Sequence, residues 1–377
     1  MKTTAITFLC LILIMATQSF AQGQSSLSAS ESSEKKRFSA EWRLSMAGTD
    51  NQDLQTQSKY VDLRLEVKSK YILTSSMFLD LQPAVRLVSG QAQTMDGADK
   101  MENKILLNQA AVHYTPASFF RLSAGALDQR YAHTSLLIDK MAFPGARVEA
   151  KLRAGDTETS LVGATSIPTS TSLSTNTNEK EATPSLNSGA LKFYYVPTRD
   201  AFWSTTVGYF MYNNLPSAVA KESMLLGNEV NTLSEADYEF VNKYEGVEAG
   251  TYLRLPVGSL LHVSLVGEYL KNLKAEDDVN TATMYSAGAS VHMTGNLDLN
   301  LMGGYFSVAP EAAVAYFNAR GFETNRQGYF GETGLSFRKE GFNVGVRYTD
   351  SEVMFTNSIQ SREKTIMIKL ETFYANI

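Results

Sequence analysis

Apolar and polar residues alternate one by one along much of this chain. In a β-strand, successive side chains point to opposite faces of the sheet, so a period of two gives one apolar and one polar face. Residues 61–68 are the clearest example, with aliphatic side chains on one parity and charged side chains on the other. The pattern therefore predicts strands that carry dense charge on one face and only aliphatics on the opposite face.

The same alternation recurs from residue 38 to the end of the chain and predicts sixteen strands. It is regular over 38–46, 61–68, 77–87, 147–153, 259–270, 296–307, 341–349 and 366–371. It is less regular over 103–114, 119–126, 158–167, 189–196, 201–213, 245–255, 282–293 and 328–338. The register is least defined in 103–114 and 158–167, where small and polar residues occur on both parities.

The predicted connections alternate between short and long. The short ones contain Pro, Gly, Asp or Ser, which favour tight turns. They cover 69–70, 115–118, 155–156, 197–200, 256–258, 294–295 and 339–341. The long ones cover 47–58, 89–102, 127–145, 168–188, 214–244, 271–281, 308–327 and 350–363. Long loops on one rim and tight turns on the other are typical of barrels that cross an outer membrane.

These features predict an all-β fold, a transmembrane antiparallel up-and-down β-barrel of about 16 strands, with long extracellular loops and short periplasmic turns. The predicted strands have about 9–12 residues, as tilted membrane strands require, whereas soluble strands average about 5–6. Tyrosines and phenylalanines near the strand ends would form the two aromatic girdles of such a barrel. A soluble β-sandwich or propeller remains the alternative, because its strands also alternate.

The N-terminal residues predict export. Lys2, an apolar run over 5–16 and small residues before a cut after Ala21 are typical of a signal peptide. We therefore divide the chain into a signal peptide (1–21), a flexible Ser-rich lead (22–36) and a barrel (37–377). Cys10 is the one cysteine of the sequence, so a cleaved chain has no thiol for disulfides, thiolate catalysis or metal binding. The net charge of −5 argues against a general nucleic-acid binder.

In strand number, loop lengths and aromatic rims, the chain resembles the porins of Gram-negative outer membranes. The resemblance is architectural, and the C-terminal residues 372–377 depart from the terminal Phe of many such barrels. It implies an outer-membrane channel for passive diffusion of small hydrophilic solutes and ions, a lipid surround, the barrel-assembly machinery as a partner, and a homotrimer. A non-conducting structural, adhesive or receptor barrel, and a substrate-specific channel, remain alternatives.

The resemblance also implies that the third long loop, 127–145, folds into the barrel and narrows it. This loop carries acids and a lysine that would face arginines of the wall, and such opposed charges set ion preference. The constriction would comprise Arg43, Arg64, Arg86, Arg121, Asp128, Asp139 and Lys140.

No catalytic or cofactor site is predicted. His262 and Ser264 share one strand face, as in outer-membrane phospholipase A, but Leu265-Val266-Gly267 follows instead of that family's Asn-Gly-Arg. The other histidines show no zinc-type spacing. We therefore expect no enzymatic activity, no cofactor and no nucleic-acid partner. Small residues at 124–126 and 287–289 are candidate subunit contacts.

Overall fold

The computed structural model describes residues 37–54, 56–91, 103–168, 180–198, 200–234, 237–318 and 322–377. The predicted signal peptide and lead, and most of the loop predicted over 89–102, lie outside these residues. Within the described residues, no helix is long and apolar enough to cross a membrane.

Strands make up most of the described chain, and helix is almost absent. The first half contains β1 (Phe38–Gln52), β2 (Gln57–Ile72), β3 (Met77–Gln91), β4 (Lys104–Ala117), β5 (Phe120–Asp128), β6 (Ala142–Ala154), β7 (Thr157–Ser166), β8 (Ser185–Tyr195) and β9 (Phe202–Asn213). The helix α1 (Ser217–Leu225) and the small hairpin β10 (Val230–Ser234) and β11 (Asp237–Phe240) follow. The second half contains β12 (Glu245–Val257), β13 (Leu261–Asn272), β14 (Thr281–Thr294), β15 (Leu297–Val308), β16 (Arg326–Phe337), β17 (Phe342–Val353), β18 (Glu363–Thr372) and β19 (Ala375–Asn376).

Sixteen of these strands, β1 to β9 and β12 to β18, form a closed antiparallel barrel. Each strand pairs with the next in chain order, and β9 pairs with β12. Closure comes from β1, where Glu41 lies opposite Lys68 of β2 and Ser45 lies opposite Glu371 of β18. Every barrel strand therefore has partners on both sides, which is how a sheet satisfies its backbone in lipid.

The two faces follow the alternation predicted from the sequence. On β2, Val61 and Leu63 are exposed on the outer face, whereas Glu66 is buried on the inner face. Other strands repeat this arrangement. Outward aliphatics include Leu161, Leu191, Val207, Leu265 and Ile368; buried inward polar groups include Arg147, Glu149, Lys192, Glu248 and Asp298.

Several connections differ from the predicted ones. The loop predicted over 47–58 shrinks to 53–56, because β1 and β2 stay paired as far as Gln52 and Gln57. Residues 47–52 no longer alternate, but a ladder of backbone hydrogen bonds needs no apolar face, so the pair continues. The turn predicted at 69–70 is also wrong, since β2 ends at Ile72 and the turn covers 73–76.

Two local irregularities change which residues face inward. In β4, Gln109 pairs with Gln82 and Leu107 with Pro83, so Asn108 forms a bulge and both Asn108 and Gln109 are buried. This bulge explains why the register of 103–114 was ambiguous. A second extra residue lies between β18 and β19, and it turns the Tyr374 hydroxyl inward to donate to Glu66 over 2.9 Å.

The expected aromatic rims are partly correct. Tyr209, Tyr269, Tyr285, Tyr329 and Tyr348 are exposed on the outer face, and Tyr71, Tyr114, Phe119 and Tyr195 are exposed near the short turns. Phe210, Phe306 and Tyr374, which also lie near strand ends, instead point inward. The first two are fully buried in a core inside the barrel.

This core is built from three loops that fold inward at the long-loop end. We call them L3 (129–141), L5 (214–244) and L7 (309–325). L3 begins with a short 3-10 helix, Gln129–Tyr131, and L5 contains α1 and the β10–β11 hairpin. The core residues include Leu136, Leu137 and Ile138 of L3, Val219 of L5, Val314 and Phe317 of L7, and Phe210, Leu270 and Phe306 of the wall.

Candidate functional site

L3 leaves the wall between β5 and β6 and reaches the opposite wall. Its apex is held by two carboxylates of the neighbouring strands β12 and β13. Glu248 accepts hydrogen bonds from the Thr134 backbone N–H (2.8 Å) and hydroxyl (2.7 Å), and its other oxygen lies 2.5 Å from Nδ1 of His133. Glu268 accepts from the backbone N–H (2.9 Å) and hydroxyl (2.5 Å) of Ser135. The loop predicted to fold into the barrel does so.

Apolar packing fixes the rest of L3. Leu136, Leu137 and Ile138 are completely buried, and the Asp139 backbone N–H donates to the Phe317 carbonyl of L7 over 2.7 Å. The Phe317 ring in turn packs edge-on against Phe143, with centroids 5.3 Å apart. L3 and L7 therefore form one packed unit inside the long-loop end of the barrel.

A first charged cluster surrounds Glu66 on β2. Arg43 forms an ion pair with this carboxylate, Arg64 lies 2.8 Å from it and Lys140 of L3 lies 3.1 Å from it. Arg43 also reaches Glu371 of β18 over 3.0 Å. Three of the residues predicted for the constriction thus meet around one acid, Glu66. This acid belongs to the charged face of 61–68 but is not among the residues predicted for the constriction.

A second cluster surrounds Glu149 on β6. The hydroxyl of Tyr131 in L3 donates to Glu149, and Arg121 and Lys151 lie 3.7 and 3.3 Å from its oxygens. The Lys192 ammonium lies over the Tyr131 ring, 3.5 Å from its centroid, and donates a hydrogen bond to the Tyr131 carbonyl over 2.6 Å. L3 is therefore anchored to the wall near its own strands as well as at its apex.

The remaining predicted constriction residues have other partners. Arg86 forms an ion pair with Asp62 of the neighbouring strand. Asp128 accepts from the Arg130 backbone N–H over 3.0 Å and starts the short helix. Among the described residues, the carboxylates of Asp128 and Asp139 lie more than 4 Å from the guanidinium groups of the arginines predicted to face them, which are Arg43, Arg64, Arg86 and Arg121. The acids that pair with the arginines instead lie on the barrel strands. Such cross-strand pairs can be identified only when the strand register is known.

A cavity of about 520 Å³ lies inside the barrel between β12 and β18. Its lining combines neutral polar side chains with basic and acidic ones, as expected of a surface in contact with water. The polar lining includes Arg254, His262, Ser264, Ser290, Asn300, Glu332, Ser336, Asn343, Arg347, Lys369 and Glu371.

The structure resembles solved outer-membrane proteins along most of its length. The match to OprB of Pseudomonas putida has a TM-score of 0.57 at 10% identity and covers 90% of this chain and 94% of the other. OmpF of Salmonella typhi, solved with daunomycin, gives 0.51 at 10% identity over 88% and 97%. A loop-deletion mutant of OmpT, an outer membrane protein of Vibrio cholerae, gives 0.52 at 10% identity over 90% and 100%.

This chain has the fold of an outer-membrane porin. No family model matches it, and no curated protein matches its sequence. At 10% identity, this similarity establishes the porin-like barrel but not its function.

Two other predicted features can be located in the porin-like barrel. His262 lies 3.8 Å from Asp200, and no hydrogen bond joins it to Ser264 within the described residues. The described residues also contain no group of three His, Cys, Asp or Glu side chains arranged to hold a metal ion.

On the outer face, Ala287 and Ala289 line an apolar groove of about 630 Å³ together with Gly303, Gly331 and Val346.

Proposed function

We propose that the protein is an outer-membrane porin, a water-filled channel through which small hydrophilic solutes and ions diffuse passively. The observation that carries this proposal is the charged and polar inner face of a closed sixteen-stranded barrel. Such a face needs water in the lumen, because unpaired charge is costly in an apolar interior. A barrel of this size is wide enough to hold that water.

L3 is the proposed constriction. It crosses the lumen between the cluster at Glu66 and the acids Glu248 and Glu268, so solutes must pass beside it. The seven residues predicted from sequence are retained as constriction candidates, with Glu66 and Glu149 added because L3 contacts both. Narrowing by a docked loop would exclude large solutes while leaving small ones free to pass.

Location and assembly belong to the same proposal. The exposed aliphatic outer face suits the lipid of an outer membrane, reached through the cleaved signal peptide and the barrel-assembly machinery. Among the solved structures with this fold is a trimer form of Vibrio cholerae OmpT, with a TM-score of 0.50. A homotrimer is proposed here too, and the groove at Ala287 and Ala289 is its candidate contact. We also propose no catalytic role, since Leu265-Val266-Gly267 follows Ser264 in place of the Asn-Gly-Arg of outer-membrane phospholipase A.

The competing function is a non-conducting structural, adhesive or receptor barrel, and the apolar core inside the barrel favours it. Phe317 of L7, Val219 of L5 and Leu137 of L3 are completely buried there. Such packing occupies part of the lumen that a channel would leave to water. A substrate-specific channel lies between the two functions.

Planar-bilayer recording separates these functions. The purified protein, reconstituted without other proteins, should produce discrete ohmic current steps that persist at low voltage. The strands of the reconstituted protein should be verified by circular dichroism in the same sample. A folded protein that never conducts would contradict the channel and support the non-conducting barrel. Block of the current by one class of solute would identify a specific channel.

A further inference from the structure

The ion pairs inside the barrel are unequal in their exposure to water. In the cluster around Glu66, the carboxylate side chain is 4% exposed, whereas the side chains of Arg43, Arg64 and Lys140 are 23, 27 and 38% exposed. The acid is thus covered by its own partners. The cations face the water on the side away from the acid.

The cluster around Glu149 repeats this inequality on a different part of the wall. Glu149 is 2% exposed, and its partners Arg121 and Lys151 are 30 and 21% exposed. Near β18, Lys369 is 48% exposed against 17% for its partner Glu371. In the pair of Arg86 with Asp62, the two side chains are similarly exposed, at 13 and 18%. The difference in exposure is therefore found in particular clusters and is not a uniform consequence of longer basic side chains.

L3 removes two further acids from the water. Glu248 is fully buried and Glu268 is 10% exposed, because their oxygens accept the hydrogen bonds of His133, Thr134 and Ser135. These acids would otherwise oppose the basic wall across the lumen. The docking of L3 therefore withdraws two acids from the pore water. It also covers two cations, Arg147 and Lys192, which lie 4.0 and 3.5 Å from the Tyr131 ring and are buried. The cations around Glu66 stay partly exposed.

Two guanidinium groups of these clusters also have a donor without a partner. The Nε atoms of Arg64 and Arg121 are buried and have no hydrogen-bond partner among the described residues. Guanidinium donors suit carboxylate and phosphate oxygens.

We propose that this channel prefers anions, and that Arg43, Arg64 and Lys140 around Glu66, with Arg121 and Lys151 around Glu149, determine the preference. The favoured solutes are small inorganic anions and small molecules that bear a carboxylate or phosphate. The proposal rests on the proposed channel function. Its physical basis is that charges in contact with pore water set the potential that a passing ion meets.

The test is the reversal potential across a planar bilayer under a potassium chloride gradient. The expected sign corresponds to a chloride permeability above that of potassium, and the preference should weaken as salt screens the exposed cations. Current steps that reverse at zero or on the potassium side would overturn the anion preference and leave the channel standing. A complete absence of steps would contradict the channel function and the preference together.

Variants assign the preference to these residues. Arg64→Gln and Lys140→Gln should each lower the chloride-to-potassium permeability ratio by about twofold, since each removes one exposed charge from the pore. Lys364→Gln is the matched control, because it removes the same charge from the outward parity of β18 and should leave the ratio unchanged. Equal ratios in all three variants and the unmodified protein would show that these cations do not set selectivity.

Discussion

Three donors of L3 converge on a single side chain, Glu248. This carboxylate is completely buried and contacts His133 and both the backbone and hydroxyl of Thr134. A buried donor that loses its acceptor costs about 1–3 kcal/mol. The position of L3 across the lumen therefore depends on this residue and on Glu268, which also accepts three hydrogen bonds from L3.

Replacement of Glu248 by Ala should release the apex of L3 and widen the channel. We expect a larger single-channel conductance and faster uptake of larger sugars in liposome swelling. Glu332→Ala is the control, because Glu332 lines the cavity and loses the same charge, but no hydrogen bond to L3 is involved. A conductance equal to that of the Glu332 variant would mean that L3 stays in place without Glu248.

Glycines also act at the scale of single residues, where strands approach closely. At Gly304 of β15, a Cβ atom would lie 2.5 Å from the Phe330 ring and 2.6 Å from the Tyr285 carbonyl. Gly304→Val should therefore lower the temperature at which the folded barrel unfolds in detergent, with a cost of the order of 1–3 kcal/mol for overpacking. Gly48→Val of β1 is the control, since a Cβ atom there would contact nothing within 4 Å. Similar melting of the two variants would contradict this packing.

At the scale of elements, the strands were predictable and their ends were not. The alternation in 61–68 identifies β2 because lipid on one side and water on the other impose it. Above the apolar belt this constraint ends, so the polar residues 47–52 looked like a loop although they continue β1. The bulge at Asn108 and the inward turn of Tyr374 depend on cross-strand register, which local sequence does not specify.

The site was predictable to a similar extent. The resemblance to porins correctly indicated that the loop 127–145 folds into the barrel. The residues that L3 contacts could not be predicted from the sequence. Glu66, Glu248 and Glu268 lie on distant strands, and only the strand order and the shear of the closed barrel bring them next to L3. For the same reason Asp128 and Asp139 were paired with arginines that the structure places elsewhere.

L7 links the loops through one buried acid, Glu311. It accepts from the Glu229 backbone N–H over 2.6 Å and from the Tyr244 hydroxyl over 2.8 Å. Burial, the largest influence, raises the pKa of Glu311 above its ordinary value despite these hydrogen bonds. The protonated form is thus favoured in the folded loops. Its stabilising effect is complete below the ordinary pKa of a glutamate and is lost as the pH rises through the raised pKa.

Hydrogen exchange of L7 should report this titration. After correction for intrinsic exchange rates, protection of residues 309–318 should be greater in acid than at neutral pH. Glu311→Gln, which stays neutral and keeps the shape of the side chain, should show high protection at both pH values. Protection that rises with pH in the unmodified protein, or an equal pH dependence in the Gln variant, would contradict the assignment to Glu311.

At the scale of the whole molecule, every proposal depends on which face of the barrel meets water. The same barrel would be unstable with its faces exchanged, because outward aliphatics such as Leu63 and Leu161 would lie in the lumen and Glu66 and Glu149 in lipid. The selective clusters, the docked loop and the cavity all belong to the inner face. The alternation is therefore the link between sequence and function.

Cysteine labelling of two adjacent residues tests this claim most directly. In a Cys10→Ser background, which has no other cysteine, Asp62→Cys and Leu63→Cys should be compared in intact outer membranes. A charged, membrane-impermeant thiol reagent should modify position 62 rapidly and position 63 slowly, and a lipid-soluble reagent should reverse the order. Equal reactivity at the two positions, or faster reaction of the charged reagent at position 63, would contradict a barrel with water inside and lipid outside.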